Sequence, residues 1–355
     1  MQRSTTRRSR QGRLLTITVD TTSRKSGQPR SIAVLRALQL GDMLCAVPAL
    51  RALRGAAPHA RISLIGLPWA SEFCARYPGY IDEFIPFPGY PGLPEQDPEL
   101  DVIPLFIERM QARRFDMALQ LHGSGAITNP LTLLFAAKRT AGFYMPDAFC
   151  PDEASFVPYP DDLPERTRLL KLVEVLGGDA GDDRLEFSIT EDDRAEVEAL
   201  GVFEACRGRI ACLHPGARHP VRRWPPAKFA AVGDALAERG FAVVITGSAW
   251  ERSIAGEVQR AMRTPALNVA GMTSLGAAGA LLAASRVVVC NDTGLSHLAD
   301  AVGTPSVVVF TGSDPERWAP ADSRRHRVLR GINVEPKQVI DEAVALLETE
   351  AAHAA

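Results

Sequence analysis

The feature that most constrains this chain is a rhythm. From Ser31 onward, short runs rich in Val, Ile, Leu and Ala alternate with longer stretches whose apolar residues recur at helical spacing. Runs at 31–37, 61–66, 80–87 and 117–121 alternate with helical stretches at 43–53, 69–77 and 101–113. Continuous apolar runs suit strands buried on both faces, so the pattern predicts a parallel sheet with right-handed helical crossovers. Between residues 144 and 185 the rhythm weakens: prolines 146, 151, 158, 160 and 164 interrupt it, one helix is expected at 164–176, and a Gly- and Asp-rich stretch follows at 177–183. A second series then starts, with strands at 210–213, 241–246, 267–270 and 287–290 and a last one at 306–310. Its helices are expected at 227–239, 250–262, 274–284 and 295–302, and an amphipathic helix at 335–350 closes the chain. The fold class is therefore α/β, two Rossmann-like doubly wound units in succession. The expected division is a basic leader without structure at 1–30, a first unit at 31–180, a second at 181–330 and a C-terminal helix at 331–355. A chain of 355 residues suits two domains.

Composition removes several classes of function. Lys and Arg number 40 against 42 acids, a net charge of −2, so the molecule as a whole is no nucleic-acid binder. No run approaches the length of about 18 apolar residues that a membrane span needs. The six cysteines show no C-x-x-C and no paired spacing, which argues for reduced thiols in a cytoplasmic protein over a disulfide framework or a zinc cluster. Charge is unevenly placed. Residues 1–30 carry +7, which leaves the other 325 at −9. The leader lacks the apolar core of a secretory signal. It reads as an unstructured tail, with a weak electrostatic tether to anionic lipid or an organellar transit peptide as alternatives.

In open α/β sheets ligands sit beyond the carboxyl ends of the strands, so the chemistry belongs in the strand-end loops. Asn291-Asp292-Thr293-Gly294 joins a buried strand to a helix. Asp292 or Thr293 can cap that helix, whose free N–H groups suit a phosphate, and Gly294 permits close backbone approach. His297 follows one turn later, read as facing back toward the same loop. The loop from His214 to Trp224 holds Arg218, Arg222 and Arg223, guanidinium groups of the kind that grip diphosphate oxygens, or else a solvated basic loop. Gly41-Asp42 sits where the first strand meets its helix, and Asp42 reads as a helix cap or as a general base facing a cleft. Glu251 closes Thr246-Gly-Ser-Ala-Trp250 at another strand end, where a first-turn acid also favours the helix dipole. No G-x-G-x-x-G follows a strand, no P-loop occurs and no G-x-S-x-G elbow occurs. No D-x-D pair is present to hold a metal against a diphosphate, so no metal and no cofactor is expected.

Four blocks in order carry a specific resemblance: Leu40-Gly-Asp42 with Pro48-Ala-Leu-Arg-Ala-Leu53, His214-Pro-Gly216 with Arg222-Arg-Trp-Pro225, Val244-Ile-Thr-Gly247 with Glu251, and Asn291-Asp-Thr-Gly294 with His297-Leu-Ala299 and Pro305. Together they resemble the bacterial heptosyltransferases, glycosyltransferase family 9, over roughly residues 31–320. The resemblance implies a GT-B fold, with an acceptor domain followed by a nucleotide-sugar donor domain. It also implies metal-independent, inverting transfer from a nucleotide sugar, typically ADP-heptose, to a glycan or glycolipid acceptor of the cell envelope. On the matching positions it makes Asp42 catalytic, with Gly41 beside it. Donor binding falls to the 217–223 loop, to Glu251 and to Asp292, Thr293, Gly294 and His297. The family's usual phosphate-binding lysine stands here as Arg222, and its Ser/Thr contacts stand as Ala217 and Arg218. No basic cluster of the first unit matches binding of a lipopolysaccharide core. Peripheral contact with the cytoplasmic face of the inner membrane is a further expectation. The rival readings are a nucleotide-sugar-binding protein without turnover and a nucleotide-sugar epimerase of the same fold.

Overall fold

The computed structural model describes residues 4–8, 14–18, 28–202, 204 and 209–354. Within the leader, expected to lack structure, β1 (Ser4–Arg8) pairs antiparallel with β2 (Leu14–Thr18), in register Ser4 with Thr18 and Arg8 with Leu14. The one apolar stretch of the leader thus supplies a strand.

The first sheet holds β3 (Ser31–Leu35), β4 (Arg61–Gly66), β5 (Glu83–Pro86), β6 (Met117–Gln120), β7 (Arg139–Tyr144) and β8 (Phe156–Pro158) in the order β5-β4-β3-β6-β7-β8, all parallel. The second holds β9 (Ile210–His214), β10 (Ala242–Ile245), β11 (Ala266–Asn268), β12 (Ser285–Asn291), β13 (Ser306–Phe310) and β14 (His326–Arg330) in the order β11-β10-β9-β12-β13-β14. Numbered within each sheet, both read 3-2-1-4-5-6, the doubly wound order whose direction reverses between strands 1 and 4. Two expectations need correction. The strand at 306–310 is not the last, because β14 pairs beyond it. The weak stretch after residue 144 still contains β8, whose three residues and terminal Pro158 are tolerated because it lies at the sheet edge.

The apolar runs are buried as a parallel sheet requires. All five residues of β9 and of β13 are buried, and so are four of the five in β3. Successive side chains enter opposite faces. Ala33 and Leu35 join an outer cluster of the first sheet, and Ala211 and Leu213 an outer cluster of the second. Ile32 and Val34 belong with Ile210 and Cys212 to one continuous core shared by both sheets. That shared core runs through the helices Leu40–Ala56, Glu165–Val175, Leu275–Ala283 and Gly294–Ala301. Burial of apolar area at about 25 cal/mol per Å² makes such a seam a strong tie between the halves. Ion pairs reinforce it: Arg166 reaches Asp300 at 2.9 Å, and Arg76 reaches Asp193 at 2.7 Å. The C-terminal helix Pro336–Ala354 packs against the helix Pro226–Ala237 and the second sheet.

Candidate active site

Both switch points open into one cleft of about 630 Å³. Each of the nine residues singled out from the sequence lines it: Gly41, Asp42, Arg218, Arg222, Glu251, Asp292, Thr293, Gly294 and His297. The floor is where the two helices Leu40–Ala56 and Gly294–Ala301 meet at their N-termini. Gly41 and Gly294 lie back to back there. A Cβ on Gly294 would stand 2.9 Å from the Leu40 Cβ and 3.0 Å from the Gly41 nitrogen, and one on Gly41 would stand 2.9 Å from His297 Cδ2. Only glycine permits that approach.

Asp42 occupies the first turn of its helix but caps nothing, since Gln39 is the N-cap and no side chain bonds there. Among the described residues its carboxylate has no hydrogen-bond or ion-pair partner. Burial raises its pKa, partly offset by the Arg36 and Arg317 guanidinium groups, while Glu165 adds to the rise. A carboxylate so placed is a stronger base than one in water. Its own main-chain carbonyl is clamped by Arg36, which donates from Nε at 3.0 Å and from Nη2 at 2.7 Å.

The second half supplies cations and backbone N–H groups. Thr293 is the N-cap of the Gly294–Ala301 helix, its Oγ1 accepting from the Leu295 N–H at 3.1 Å. Asp292 does not cap: its carboxylate accepts from Ser313 Oγ and faces Arg222 Nη1 at 3.5 Å. Burial raises the Asp292 pKa, opposed by the Ser313 bond and by Arg222. Arg222 is thereby held at a helix N-terminus, where an anion is doubly favoured. Arg218 is exposed on the cleft wall. Arg223 is turned away and donates to the Ala217 carbonyl at 2.8 Å, so it buttresses the loop. Asn291, fully buried, stitches the two strand ends of this half: it accepts from the Trp224 N–H at 2.9 Å and donates to the Pro215 carbonyl at 2.9 Å.

Glu251 accepts from the Ser248 N–H at 2.7 Å and faces His214 Nε2 at 3.8 Å. It fits because residue 216 is glycine, where a Cβ would fall 2.1 Å from Glu251 Oε1. His297 lines the cleft with the Asp292–Gly294 loop. It packs across the seam, with Nδ1 3.7 Å from Cys45 Sγ and its ring 6.1 Å from that of Trp318. Burial holds its pKa down to about 4, so it is neutral at physiological pH.

The cleft has further neighbours to which sequence reasoning assigned no role. Glu95, in the loop between β5 and the helix Ile103–Ala112, lines the cleft and sits 3.6 Å from His122 Nε2, while His122 Nδ1 accepts from the Ala37 N–H at 3.2 Å. His214 is buried at the cleft wall, with Nδ1 unpartnered among the described residues. Arg36 and Glu165 were hidden inside an apolar run and an ordinary helix start, and a charge directly after a strand buried on both faces, inside the same apolar run, was the available signal. Among the described residues no cluster of three or more His, Cys, Asp or Glu could hold a metal ion, and no helix is long and apolar enough to cross a membrane.

Two doubly wound α/β sheets facing one cleft define the GT-B class of fold. Residues 106–346 match the profile of glycosyltransferase family 9 (heptosyltransferase), and the chain belongs to that family. Lipopolysaccharide heptosyltransferase 2 of Escherichia coli K12 is 32% identical over 162 residues, 39% of this chain and 47% of that protein. The chain thus spans about half the length of the curated relatives it matches. In three dimensions a glycosyl transferase family 9 protein of Veillonella parvula superposes with a TM-score of 0.76 at 22% identity, covering 90% of this chain and 97% of that one. The E. coli ADP-heptose lps heptosyltransferase II gives 0.70 at 24%, covering 90% and 99%. At these identities the likeness is one of fold.

Proposed function

We propose that this chain is an inverting, metal-independent glycosyltransferase that moves heptose from ADP-heptose to a hydroxyl of a lipopolysaccharide-type acceptor. The observation that carries the reading is the Asp42 carboxylate, without a partner among the described residues, on the same cleft as Arg218, Arg222 and the Gly294–Ala301 helix N-terminus. Asp42 takes the proton of the acceptor hydroxyl as that oxygen attacks the anomeric carbon. The bond from that carbon to the β-phosphate oxygen breaks on the opposite face, and ADP leaves with its added charge. Arg222, Arg218 and the N–H groups at the helix start meet that charge, which grows in the transition state. Glu251 takes the nucleoside end. The relatives named for ADP-heptose and lipopolysaccharide support this choice of donor and acceptor.

The test is transfer itself: the purified chain with ADP-heptose and a lipopolysaccharide core, in excess EDTA, with the product's anomeric configuration read by NMR. Inverted product formed at an undiminished rate is expected. Activity lost in EDTA and restored by Mg²⁺ would overturn the metal-independent donor site. Binding of ADP-heptose with no transfer would favour the non-catalytic reading, and an epimerised sugar with free nucleotide the epimerase.

A further inference from the structure

We propose that Glu165 is a positioning residue for Asp42, acting through Arg36, and that Arg317 ties this arrangement to the docking of the second half. The inference rests on Asp42 being the general base. Glu165 opens the helix Glu165–Val175 and is buried. Three guanidinium groups converge on its carboxylate: Arg36 Nη2 at 3.2 Å, Arg168 Nη1 at 3.0 Å and Arg317 Nη2 at 2.8 Å. Arg168 and Arg317 also donate to the Tyr159 hydroxyl, at 2.7 and 3.0 Å.

Arg36 is the link to the base. It is 0% exposed, so it meets no ligand. Its fork is spent on the carbonyls of Asp42 and Leu121, one beyond the carboxyl end of each central strand of the first sheet. A buried guanidinium is tolerated only with a countercharge, and Glu165 is the one it touches. Removal of Glu165 therefore frees the fork that holds the first turn of the Asp42 helix. Arg317 comes from the second half, in the short helix Pro315–Trp318 next to Trp318 on the cleft wall. It reaches Glu165 only when the halves are docked.

The charged groups that face Asp42 from the elements around it are Arg36 at the end of β3, Glu165, Arg317, His122 beyond β6 and Asp292 beyond β12. Arg36, Arg317 and His122 favour the ionised carboxylate, and Glu165 and Asp292 oppose it. The two sides of this arrangement thus predict opposite displacements of the acid limb of the kcat–pH profile, a readout that loosened packing does not produce.

The experiment uses the full chain with ADP-heptose and lipopolysaccharide core. Arg317→Gln should move the acid limb up by about one pH unit, because it removes a cation near the base. Glu165→Gln should move it down and lower the plateau kcat by about 10²-fold through misplacement, with donor KM unchanged. Arg317→Lys should restore the wild-type profile. If Glu165→Gln does not fold, the Arg317 pair carries the test, since that side chain is 35% exposed. Acid limbs that stay in place, or move in the same direction in both variants, overturn the inference. Asp42→Asn run alongside separates the two failures. Turnover retained in Asp42→Asn sinks the base and this inference with it, whereas turnover lost with unmoved acid limbs sinks this inference alone.

Discussion

The two halves of the molecule share one plan and use it to present opposite charges. Both sheets are parallel, six-stranded and ordered 3-2-1-4-5-6, and both aim their switch point at the same cleft. In the first half the switch point presents a carboxylate, and Arg36 is turned inward to brace the main chain beneath it. In the second half Asp292 is turned inward, toward Ser313 and Arg222, and the cation faces the cleft. The backbone layout sets where a group appears. Which group is exposed and which is buried as its brace decides whether that half offers the cleft a carboxylate or a cation.

The comparison breaks most visibly at Asp42. Asp42→Asn removes the proposed base and leaves the proposed anion site whole, so turnover should fall by about 10²–10⁴-fold. Donor affinity, measured by calorimetry with ADP, should stay at the wild-type value. Equal losses in both would show that the halves do not divide the work as described.

The seam between the halves comes next. His297 is buried neutral, its folded pKa held at about 4 against an ordinary 6.5. Below pH 6.5 the unfolded chain binds a proton that the folded one refuses, so stability falls as pH drops from 6.5 toward 4 and levels off below. The size is on the order of 3 kcal/mol at full effect. Urea denaturation across that range should show the slope, and His297→Gln should lessen it while the buried His214 and His326 keep their share. An unchanged slope would mean that His297 takes up its proton while folded.

On the second half, Arg222→Ala should weaken ADP binding and slow transfer together, since the diphosphate is charged in the ground state and more so in the transition state. Loss of one charge-assisted contact should cost about 1.5–3 kcal/mol. A fall in kcat with ADP affinity intact would move Arg222 to the first half's kind of role. The smallest effect is expected at the seam's closest approach. Gly294→Ala places a methyl group against Leu40 and Gly41, and should cost about 1–3 kcal/mol of stability in thermal unfolding. A melting temperature equal to wild type would show that the halves yield there at no cost.

Much of this was readable in one dimension, and unevenly. Central strands such as β9 and β13 were legible because burial on both faces demands an unbroken apolar run. β14, His326–Arg330, escaped notice because an edge strand with partly exposed side chains carries no such run. The nine cleft residues were legible because strand-end loops with Gly, Asp and Arg have few other reasons to exist. The roles within those loops were less so: of three arginines, Arg223 proved to be a brace for Ala217, and the capping at 291–294 fell to Thr293 alone.

What the sequence determined by itself is therefore the local and the periodic: the alternation of strand and helix, the strand-end loops and the residues they hold. Each depends on neighbours a few positions away. Only the tertiary structure decided which charges meet. Arg36, Glu165 and Arg317 lie 129 and 152 residues apart along the chain and still share one carboxylate. Gly41 and Gly294 touch across the seam. A buried ion pair depends on distance, on exclusion of water and on the absence of any other partner, and none of these is a property of a stretch of chain.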